Sequence, residues 1–438
     1  MNTIKFSENS LVFFKDNFRK KKNYNIIKIL ENNSNIYKKK FSKIVSEYEY
    51  KKIFKKKNTA IAKFWYLSDF FEKNIWKNKE IYDLLKLIVL EDIIKKNKIT
   101  EINLKTDDFK LFFYLNTFCK KNNIKFKNNS NINFTYKKII FNLKYCFVPF
   151  LEIFRFAKES LLNFPFKFLK KKITNKENLV ISYSTILKNN KINDFYWKNL
   201  SEIVSNLNSN KLIINSDVKN NFEKISTIKE NKNNNIVFLQ SYQTLLSLLI
   251  SLLIWLFYLI NLSLFKKKKF PNYFIKTYFL NCFLKSSFLR NINYFFIFKN
   301  FFKKNKHKNI YYLFENISWE KSLNLCDIKS KLLPYQHTSV RDWDFRYHLF
   351  NFEEKFLKPF VPSFVFANSK YNQSKLIKNL CNVKVYKKKS TRYSVPKKKL
   401  SKIENKSILI LGDIDNTETN KMIELLKARE SDDPYIPE

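Results

Sequence analysis

The fold is decided at residues 309–347, NIYYLFENISWEKSLNLCDIKSKLLPYQHTSVRDWDFRY. A continuous apolar run at residues 310–314 predicts a buried strand, and a second run at residues 332–336 predicts another. Between them, residues 319–325 have the apolar spacing of a short helix. The same order of strand, helix and strand, at residues 99–104, 109–121 and 124–126, forms a β-α-β unit, so the sequence predicts an α/β fold with a parallel sheet.

The same alternation extends along the chain in both directions from this unit. Further strands are predicted at residues 99–104, 124–126, 179–183, 212–215, 236–239, 364–367 and 408–411. Helices are predicted at residues 109–121, 196–207, 371–380 and 418–429, and a long helical pattern runs from residue 65 to residue 94. Thr106, Asp107 and Asp108 are an N-cap signal for the helix that begins at Phe109.

The composition is strongly basic, with 83 lysines and arginines against 38 aspartates and glutamates and a formal net charge of +45. Glycine occurs once and arginine seven times, whereas lysine and asparagine are abundant. This pattern is typical of an AT-rich genome, so part of the charge predicts only solvated lysine faces. The remainder indicates a polyanionic partner, either nucleic acid or an anionic membrane surface.

One of the two partners that such a charge suggests, nucleic acid, is disfavoured by the motifs. The chain has no zinc-finger spacing, no RNA-recognition aromatic signature and no basic region followed by heptads, so we expect no nucleic-acid partner.

Five cysteines occur without a CxxC pair, which predicts neither a disulfide framework nor a zinc site. The first residues lack a positive segment followed by an apolar one, so we expect no cleavable signal peptide.

Residues 245–265 are 21 residues without a charge, followed by four lysines at 266–269. As a helix this segment has a length of about 30 Å, which equals the apolar thickness of a bilayer. Three interpretations remain open: a helix lying in the membrane interface or re-entering it, a spanning helix, and a core helix. The aromatic and basic stretches at residues 145–172 and 270–306 favour the interface.

Two polar residues stand where predicted strands end. Glu315 follows the strand at residues 310–314, and His337 follows the strand at residues 332–336. Ligands of open α/β sheets bind outside the carboxyl ends of the strands. A carboxylate or an imidazole there is suited to deprotonate an acceptor hydroxyl, so Glu315 and His337 are the catalytic candidates. The alternatives are that Glu315 caps the next helix and that His337 is structural.

Arginines concentrate just after these strand ends. Arg341, Arg346 and Arg392 are three of only seven, in a chain that otherwise uses lysine. A planar guanidinium kept at such a place indicates bidentate contact with carboxylate or phosphate. The alternative is that Arg341 forms loop-stabilising ion pairs with Asp342 or Asp344. These two carboxylates lack a third ligand, so the sequence predicts no metal site and no cofactor.

Several motifs in this region resemble a family of bacterial surface-carbohydrate (O-antigen) biosynthesis proteins, glycosyltransferases of the GT-B kind. They are Glu315-Asn316, Trp319-Glu320, Gln336-His337-Thr338-Ser339 and Trp343-Asp344-Phe345-Arg346-Tyr347, with Trp65, Asp107-Asp108 and Thr391-Arg392-Tyr393 further away. The resemblance covers roughly residues 60–435. It implies that Asn316, Glu320, Gln336, Ser339, Arg341, Asp344, Arg346 and Arg392 bind substrate.

The resemblance also implies a domain organisation. A basic region at residues 1–60 precedes a Rossmann-like acceptor domain made of residues 61–240 and 305–400. Residues 241–304 interrupt it as a membrane-associated helical insertion. Residues 405–438 begin a second Rossmann-like, nucleotide-sugar domain, which is expected to be truncated because the sequence stops after one strand and one helix.

The function implied is transfer of a sugar from a nucleotide-sugar to a lipid-linked or glycan acceptor in surface polysaccharide biosynthesis. The expected place is the inner face of the cytoplasmic membrane, with the anionic membrane surface as a partner. The competing hypothesis is a truncated, catalytically inactive membrane-surface binding protein. A single glycine excludes P-loop and GxGxxG phosphate-binding motifs, so phosphate recognition would depend on the arginines.

Overall fold

A computed structural model of the chain describes residues 3–6, 11–15, 21–48, 61–78, 80–104, 106, 108–128, 133–169, 176–183, 187–188, 191–192, 196–197, 200, 208–215, 221, 224–226, 235–263, 273–326, 328–349, 358–380, 382–391 and 424. Met1–Tyr393 form one compact unit, and Ser394–Glu438 form a second. The strand and the helix predicted for the second Rossmann-like domain lie outside the described residues, apart from Glu424.

A five-stranded mixed sheet begins the first unit. Its strands are β1 (Thr3–Phe6), β2 (Leu11–Lys15), β3 (Lys21–Asn25), β4 (Glu101–Leu104) and β5 (Lys125–Asn128), in the spatial order β3-β2-β1-β4-β5. The first three pair antiparallel, whereas β1, β4 and β5 pair in parallel. The predicted β-α-β unit is therefore confirmed at β4 and β5. The sequence missed β1, β2 and β3, because lysine and asparagine obscure their apolar alternation.

Helices pack around this sheet. They are α1 (Ile26–Asn32), α2 (Ser34–Ser46), α3 (Asp69–Glu72), α4 (Glu80–Lys96) and α5 (Phe109–Lys121). The N-cap prediction is confirmed for α5, because the Asp108 side chain accepts from Lys110 N at 2.8 Å. The single long helix predicted from residue 65 is wrong: a 3-10 helix, Ala62–Leu67, and α3 precede α4, and Lys73 ends α3 with φ 55°.

A seven-stranded parallel sheet carries the second half of the unit. Its strands are β6 (Asn178–Tyr183), β9 (Ser209–Ile214), β10 (Ile236–Phe238), β11 (Asn309–Leu313), β12 (Lys331–Tyr335), β13 (Phe364–Ala367) and β14 (Lys384–Lys387), and a short hairpin of β7 (Leu187–Lys188) and β8 (Lys191–Ile192) stands apart. The spatial order is β10-β9-β6-β11-β12-β13-β14. This is the Rossmann-like order 3-2-1-4-5-6-7 by position in the chain, so an α/β parallel fold is confirmed. The strands predicted for one domain at residues 61–240 thus belong to two separate sheets.

Four helices stand outside this strand-helix alternation: α6 (Phe134–Asn163), α7 (Leu245–Ser263), α8 (Tyr273–Leu284) and α9 (Ser286–Lys304). The last three connect β10 to β11, where the strand order reverses. The aromatic residues of α8 and α9, which suggested contact with a bilayer, instead form core; Phe279, Phe283, Phe288, Phe295 and Phe298 are all buried. Because lysines and asparagines are interspersed among these aromatic residues, the sequence did not identify α8 and α9 as a buried helix pair.

The apolar segment at residues 245–265 corresponds to α7. Its inner face is packed, because Trp255 and Tyr258 are fully buried and Trp255 Nε1 donates to the carbonyl oxygen of Phe283 at 2.9 Å. Its outer face exposes leucines such as Leu246 and Leu253. Within the described residues, no helix combines the length and the apolar character needed to cross a membrane.

Two short helices follow strands of the seven-stranded sheet: α10 (Ser318–Asn324) comes after β11, and α11 (Lys370–Asn379) comes after β13. Left-handed backbone conformations recur between elements of the described part, at Lys73, Lys98, Asn123, Asn316 and Asn382. Glycine is the residue that adopts this conformation most easily. In a chain with one glycine, asparagine and lysine take these positions instead.

Candidate functional site

The candidate site lies where the strand order of the parallel sheet reverses. The reversal falls between β6 and β11, the first and fourth strands of the sheet in the chain. Crevices at the carboxyl ends of such strands are where ligands bind in open α/β sheets. Glu315 lies two residues beyond β11, and His337 lies two residues beyond β12, the next strand across. The structure therefore brings both catalytic candidates to this edge.

Glu315 and His337 are in direct contact. Glu315 Oε1 lies 3.0 Å from His337 Nε2, and the other carboxylate oxygen accepts from Arg346 Nη1, also at 3.0 Å. Burial by itself raises the pKa of the Glu315 carboxyl, but the hydrogen bonds from His337 and Arg346, together with the positive charge of Arg346, outweigh burial and lower it below the ordinary value. Glu315 is therefore ionised near neutral pH, and it does not cap α10.

The ionised carboxylate fixes the tautomer of His337. Because Glu315 only accepts, His337 Nε2 must carry the proton, and Nδ1 keeps its lone pair in the neutral ring. Nδ1 is buried and has no hydrogen-bond partner in the part of the chain that the structure describes. The Tyr196 ring meets the imidazole edge to face at 5.1 Å. A carboxylate that orients an imidazole whose second nitrogen is unprotonated is the arrangement of a general base.

Arg346 is held on a second side by Asp344. Arg346 Nε donates to Asp344 Oδ1 at 2.8 Å, and Nη2 donates to Oδ2 at 2.6 Å. This is the bidentate contact that the scarcity of arginine indicated, but its carboxylate belongs to the protein itself. Arg346 thus links Asp344 to Glu315, and we infer that its role is to hold the Glu315 carboxylate in position.

Glu320 and Asn316 shape the turn that follows β11. The Glu320 carboxylate accepts from the backbone N–H of Glu315 at 2.9 Å and from that of Asn316 at 3.0 Å. Asn316 adopts φ 56°, and its Nδ2 donates to the carbonyl oxygen of Arg346 at 2.5 Å. Both side chains are buried, so their contacts in the structure are with the protein rather than with the solvent-accessible edge.

The turn after β12 is held in a similar way by the next strand. Asn368, one residue past β13, donates from its backbone N–H to Gln336 Oε1 at 3.3 Å and from Nδ2 to the carbonyl oxygen of His337 at 3.2 Å. Asn372 Nδ2 donates in turn to Asn368 Oδ1 at 2.7 Å. Ser339, by contrast, is exposed. Sequence reasoning missed Asn368 as a site residue, although its place just after a strand was a usable signal.

The remaining candidates lie on the rim or beyond the described residues. The Arg341 guanidinium lies over the exposed Trp76 ring, 5.2 Å from its centre, and Asp342 pairs with Lys375. The ion pairs expected between Arg341 and the two aspartates are therefore wrong. Arg392 lies outside the described residues, so its predicted role is without a structural counterpart.

A buried carboxylate that the sequence did not single out holds α10 in place. Glu72, at the end of α3, accepts from Ser318 N at 3.0 Å and from Ser318 Oγ at 2.9 Å, and it pairs with Lys77 at 2.8 Å. Burial by itself raises the pKa of Glu72, but the positive charges of Lys77 and Lys321 lower it by more than burial raises it. The resulting pKa is about 2. Glu72 therefore takes the place of an N-cap for α10 and fixes the turn that carries Glu315.

Within the described residues, no group of three or more histidine, cysteine, aspartate and glutamate side chains is arranged to hold a metal ion. No family model matches the chain, and neither a curated protein nor a solved structure is similar to it. The interpretation of the site therefore depends on its geometry and on the motifs described above.

Proposed function

We propose that the protein is a sugar transferase that acts on a hydroxyl acceptor. One observation carries the proposal: the 3.0 Å contact between Glu315 and His337 at the carboxyl edge of a parallel sheet, beside the point where the strand order reverses. This edge is the general ligand-binding place of the fold, and the pair has the composition of an oriented general base.

The chemistry assigned to the pair is proton removal. His337 Nδ1 accepts the proton of the acceptor hydroxyl while the acceptor oxygen forms a bond to the anomeric carbon of the sugar. The bond between that carbon and the phosphate oxygen of the donor breaks, and the nucleoside diphosphate leaves with the electron pair. Glu315 holds the ring in the reactive tautomer and stabilises the imidazolium that forms.

The substrate class rests on the resemblance to surface-carbohydrate proteins. It supports a nucleotide-sugar donor, a lipid-linked glycan acceptor and a place at the inner face of the cytoplasmic membrane. In the GT-B arrangement, the sheet with Glu315 and His337 is the acceptor domain. The donor phosphates are then assigned to the predicted ligands Arg341 and Arg392.

The test is transfer itself, measured with radiolabelled nucleotide-sugars and a membrane-lipid extract. The wild-type chain is expected to label lipid, and His337→Gln is expected to lose about 100-fold or more of that rate. His307→Gln is the matched control, because His307 is also buried but precedes β11 at the opposite edge of the sheet. Equal loss in both variants, or an unaffected His337→Gln, contradicts the catalytic assignment.

A second candidate, an inactive binding protein, is favoured by one observation. His337 is only 2% exposed, and both oxygens of Glu315 are engaged within the protein. Such a pair is also suited to hold two turns together without chemistry. No transfer by the wild-type chain, together with lipid-linked acceptor binding that Glu315→Gln leaves unchanged, would select this candidate.

A further inference from the structure

Helix α6 presents a continuous apolar stripe to solvent. Tyr136, Leu143, Phe147, Phe150, Phe154 and Leu161 recur at intervals of three, four or seven residues, and each is more than half exposed. These intervals place them on one face of the helix. The stripe has a length of about 38 Å at 1.5 Å per residue. Large exposed apolar surfaces on a folded protein mark places of interaction.

The charges of α6 are sorted around this stripe. The two acidic residues turn toward α9: Glu152 Oε2 accepts from Ser286 N at 2.8 Å, and Glu159 accepts from Arg290 Nε at 2.9 Å. Among the basic residues of α6, Lys158 is exposed beside the stripe. The 3-10 helix Phe164–Leu169 continues the pattern, with Lys167 exposed between the exposed Phe164 and Phe168. The outward side is therefore apolar and basic, without a free carboxylate.

Helix α7 adds a second stripe on the same support. Leu246, Leu249, Leu253 and Ile260 are each at least half exposed, and residues 245–261 carry no charge. Both helices pack on α9, α6 through the Glu159–Arg290 pair and α7 through the Tyr258 and Phe288 rings, whose centres are 5.4 Å apart. The two stripes are thus fixed relative to the same core helix.

We propose that α6 and α7 dock the protein on an anionic lipid bilayer, with both helices lying in the interface. Phenylalanine and leucine on one face with lysine beside them is the composition of an interfacial helix. The absence of acidic groups on the outward face matches an anionic headgroup layer. A second copy of the chain fits poorly, because two-fold pairing would set lysines against lysines with no carboxylate between them.

Helix α6 thus takes the place of the buried α9 and most of α8 as the membrane contact, and this docking does not depend on sugar transfer. Its test is flotation with vesicles, which requires no catalysis. The wild-type chain is expected to float with vesicles that contain about one third phosphatidylglycerol, and less with pure phosphatidylcholine. Raising the salt concentration is expected to weaken binding to the phosphatidylglycerol vesicles until it approaches binding to pure phosphatidylcholine.

The deciding variant is Phe147→Ser/Phe150→Ser/Phe154→Ser, which is expected to lower the partition coefficient by about 100-fold or more. The matched control is Ile36→Ser/Tyr371→Ser/Ile377→Ser, which removes three large side chains elsewhere that are also more than half exposed, and it is expected to bind as the wild type does. Thermal melting of both variants checks that they fold.

Three outcomes overturn the proposal. The first is a wild-type chain that floats with neither vesicle, and the second is a phenylalanine variant that floats as the wild type does. The third is a wild-type dimer that the phenylalanine variant converts to a monomer without any vesicle binding, which would identify the face as an interface between copies. Equal flotation with both lipids would overturn the anionic specificity alone.

Discussion

Lys73, which ends α3 in a left-handed conformation, donates from its buried ammonium to the carbonyl oxygen of His348. This contact ties the polypeptide before α4 to the segment that carries Asp344 and Arg346, 275 residues away in the chain. Glu72, the residue before Lys73, holds Ser318 at the start of α10. The end of α3 thus holds two segments that carry residues of the candidate site.

Arg346→Lys is expected to lower the free energy of unfolding by about 2 kcal/mol, and Arg346→Met by about 3–5 kcal/mol. Lysine keeps the charge but loses the two-point contact with Asp344, whereas methionine leaves the buried Asp344 and the partly buried Glu315 without their cation. Urea unfolding measures both. Arg155→Lys is the control: the Arg155 side chain is exposed and lysine keeps a positive charge beside Glu152, so stability is expected to change by less than about 0.5 kcal/mol. An Arg346→Lys variant as stable as this control would refute the positioning role.

Asn316 is expected to be more sensitive to alanine than to glycine. Asn316→Gly loses the hydrogen bond to the Arg346 carbonyl but keeps an easy left-handed conformation, which predicts a loss of about 1 kcal/mol. Asn316→Ala adds the conformational cost of a Cβ at φ 56°, for a total of about 2 kcal/mol. Chemical denaturation gives both values. The reverse order would show that the turn relaxes to another conformation.

His307 is expected to make the protein less stable in acid. Burial lowers its pKa to about 4, and its ring stacks on Phe301. Between about pH 4 and the ordinary value near 6.5, the unfolded chain binds a proton that the folded chain does not, so stability falls as pH falls through this window. The loss amounts to at most about 3 kcal/mol.

The measurement is the free energy of unfolding from pH 7 to pH 4, for the wild type and for His307→Gln. The variant is expected to show a shallower decline in this window because glutamine does not titrate. Parallel curves for the two proteins would mean that His307 is accessible to protons in the folded state.

Lys321 is expected to make the stability of the protein depend on pH in the alkaline range. Burial lowers its pKa to about 8, although the Glu72 and Glu320 charges oppose the shift. Between pH 8 and the ordinary value near 10.4, the unfolded chain again binds the extra proton, so this residue contributes stability as pH rises. The wild type is expected to gain at most about 3 kcal/mol relative to Lys321→Met across this window.

The difference between the two proteins is the quantity to follow, because tyrosines titrate in both. Below pH 8 this difference is expected to be constant. A difference that changes below pH 8 or not at all above it would contradict the assignment of this pKa to Lys321.

Sequence reasoning succeeded where apolar runs are short and bounded. Residues 109–121 were predicted as a helix and are α5, and the strand ends at Glu315 and His337 were located because an apolar run stops there abruptly. It failed where the signal that separates elements was absent. The break between α3 and α4 contains neither glycine nor proline, and its left-handed residue is Lys73.

The contacts within the site were beyond what spacing reveals. Nothing in the sequence says that Arg346 would meet Asp344 rather than a phosphate, or that Glu72 would support Ser318 across 246 residues. Such contacts depend on how two sheets are placed against each other, which is set by the summed burial of many aromatic residues. The aromatic stretch of α9 was misinterpreted for the same reason, since its lysines all lie in the last six residues of a largely buried helix.

The left-handed positions occupied by asparagine and lysine have a consequence for the stability of the chain. Each of Lys98, Asn123 and Asn382 holds a conformation that costs a residue with a Cβ about 1 kcal/mol more than glycine. The chain contains one glycine, Gly412, which is at none of these positions. Glycine introduced at any of the three is therefore expected to relieve a conformational cost that the present side chains impose, without touching the candidate site.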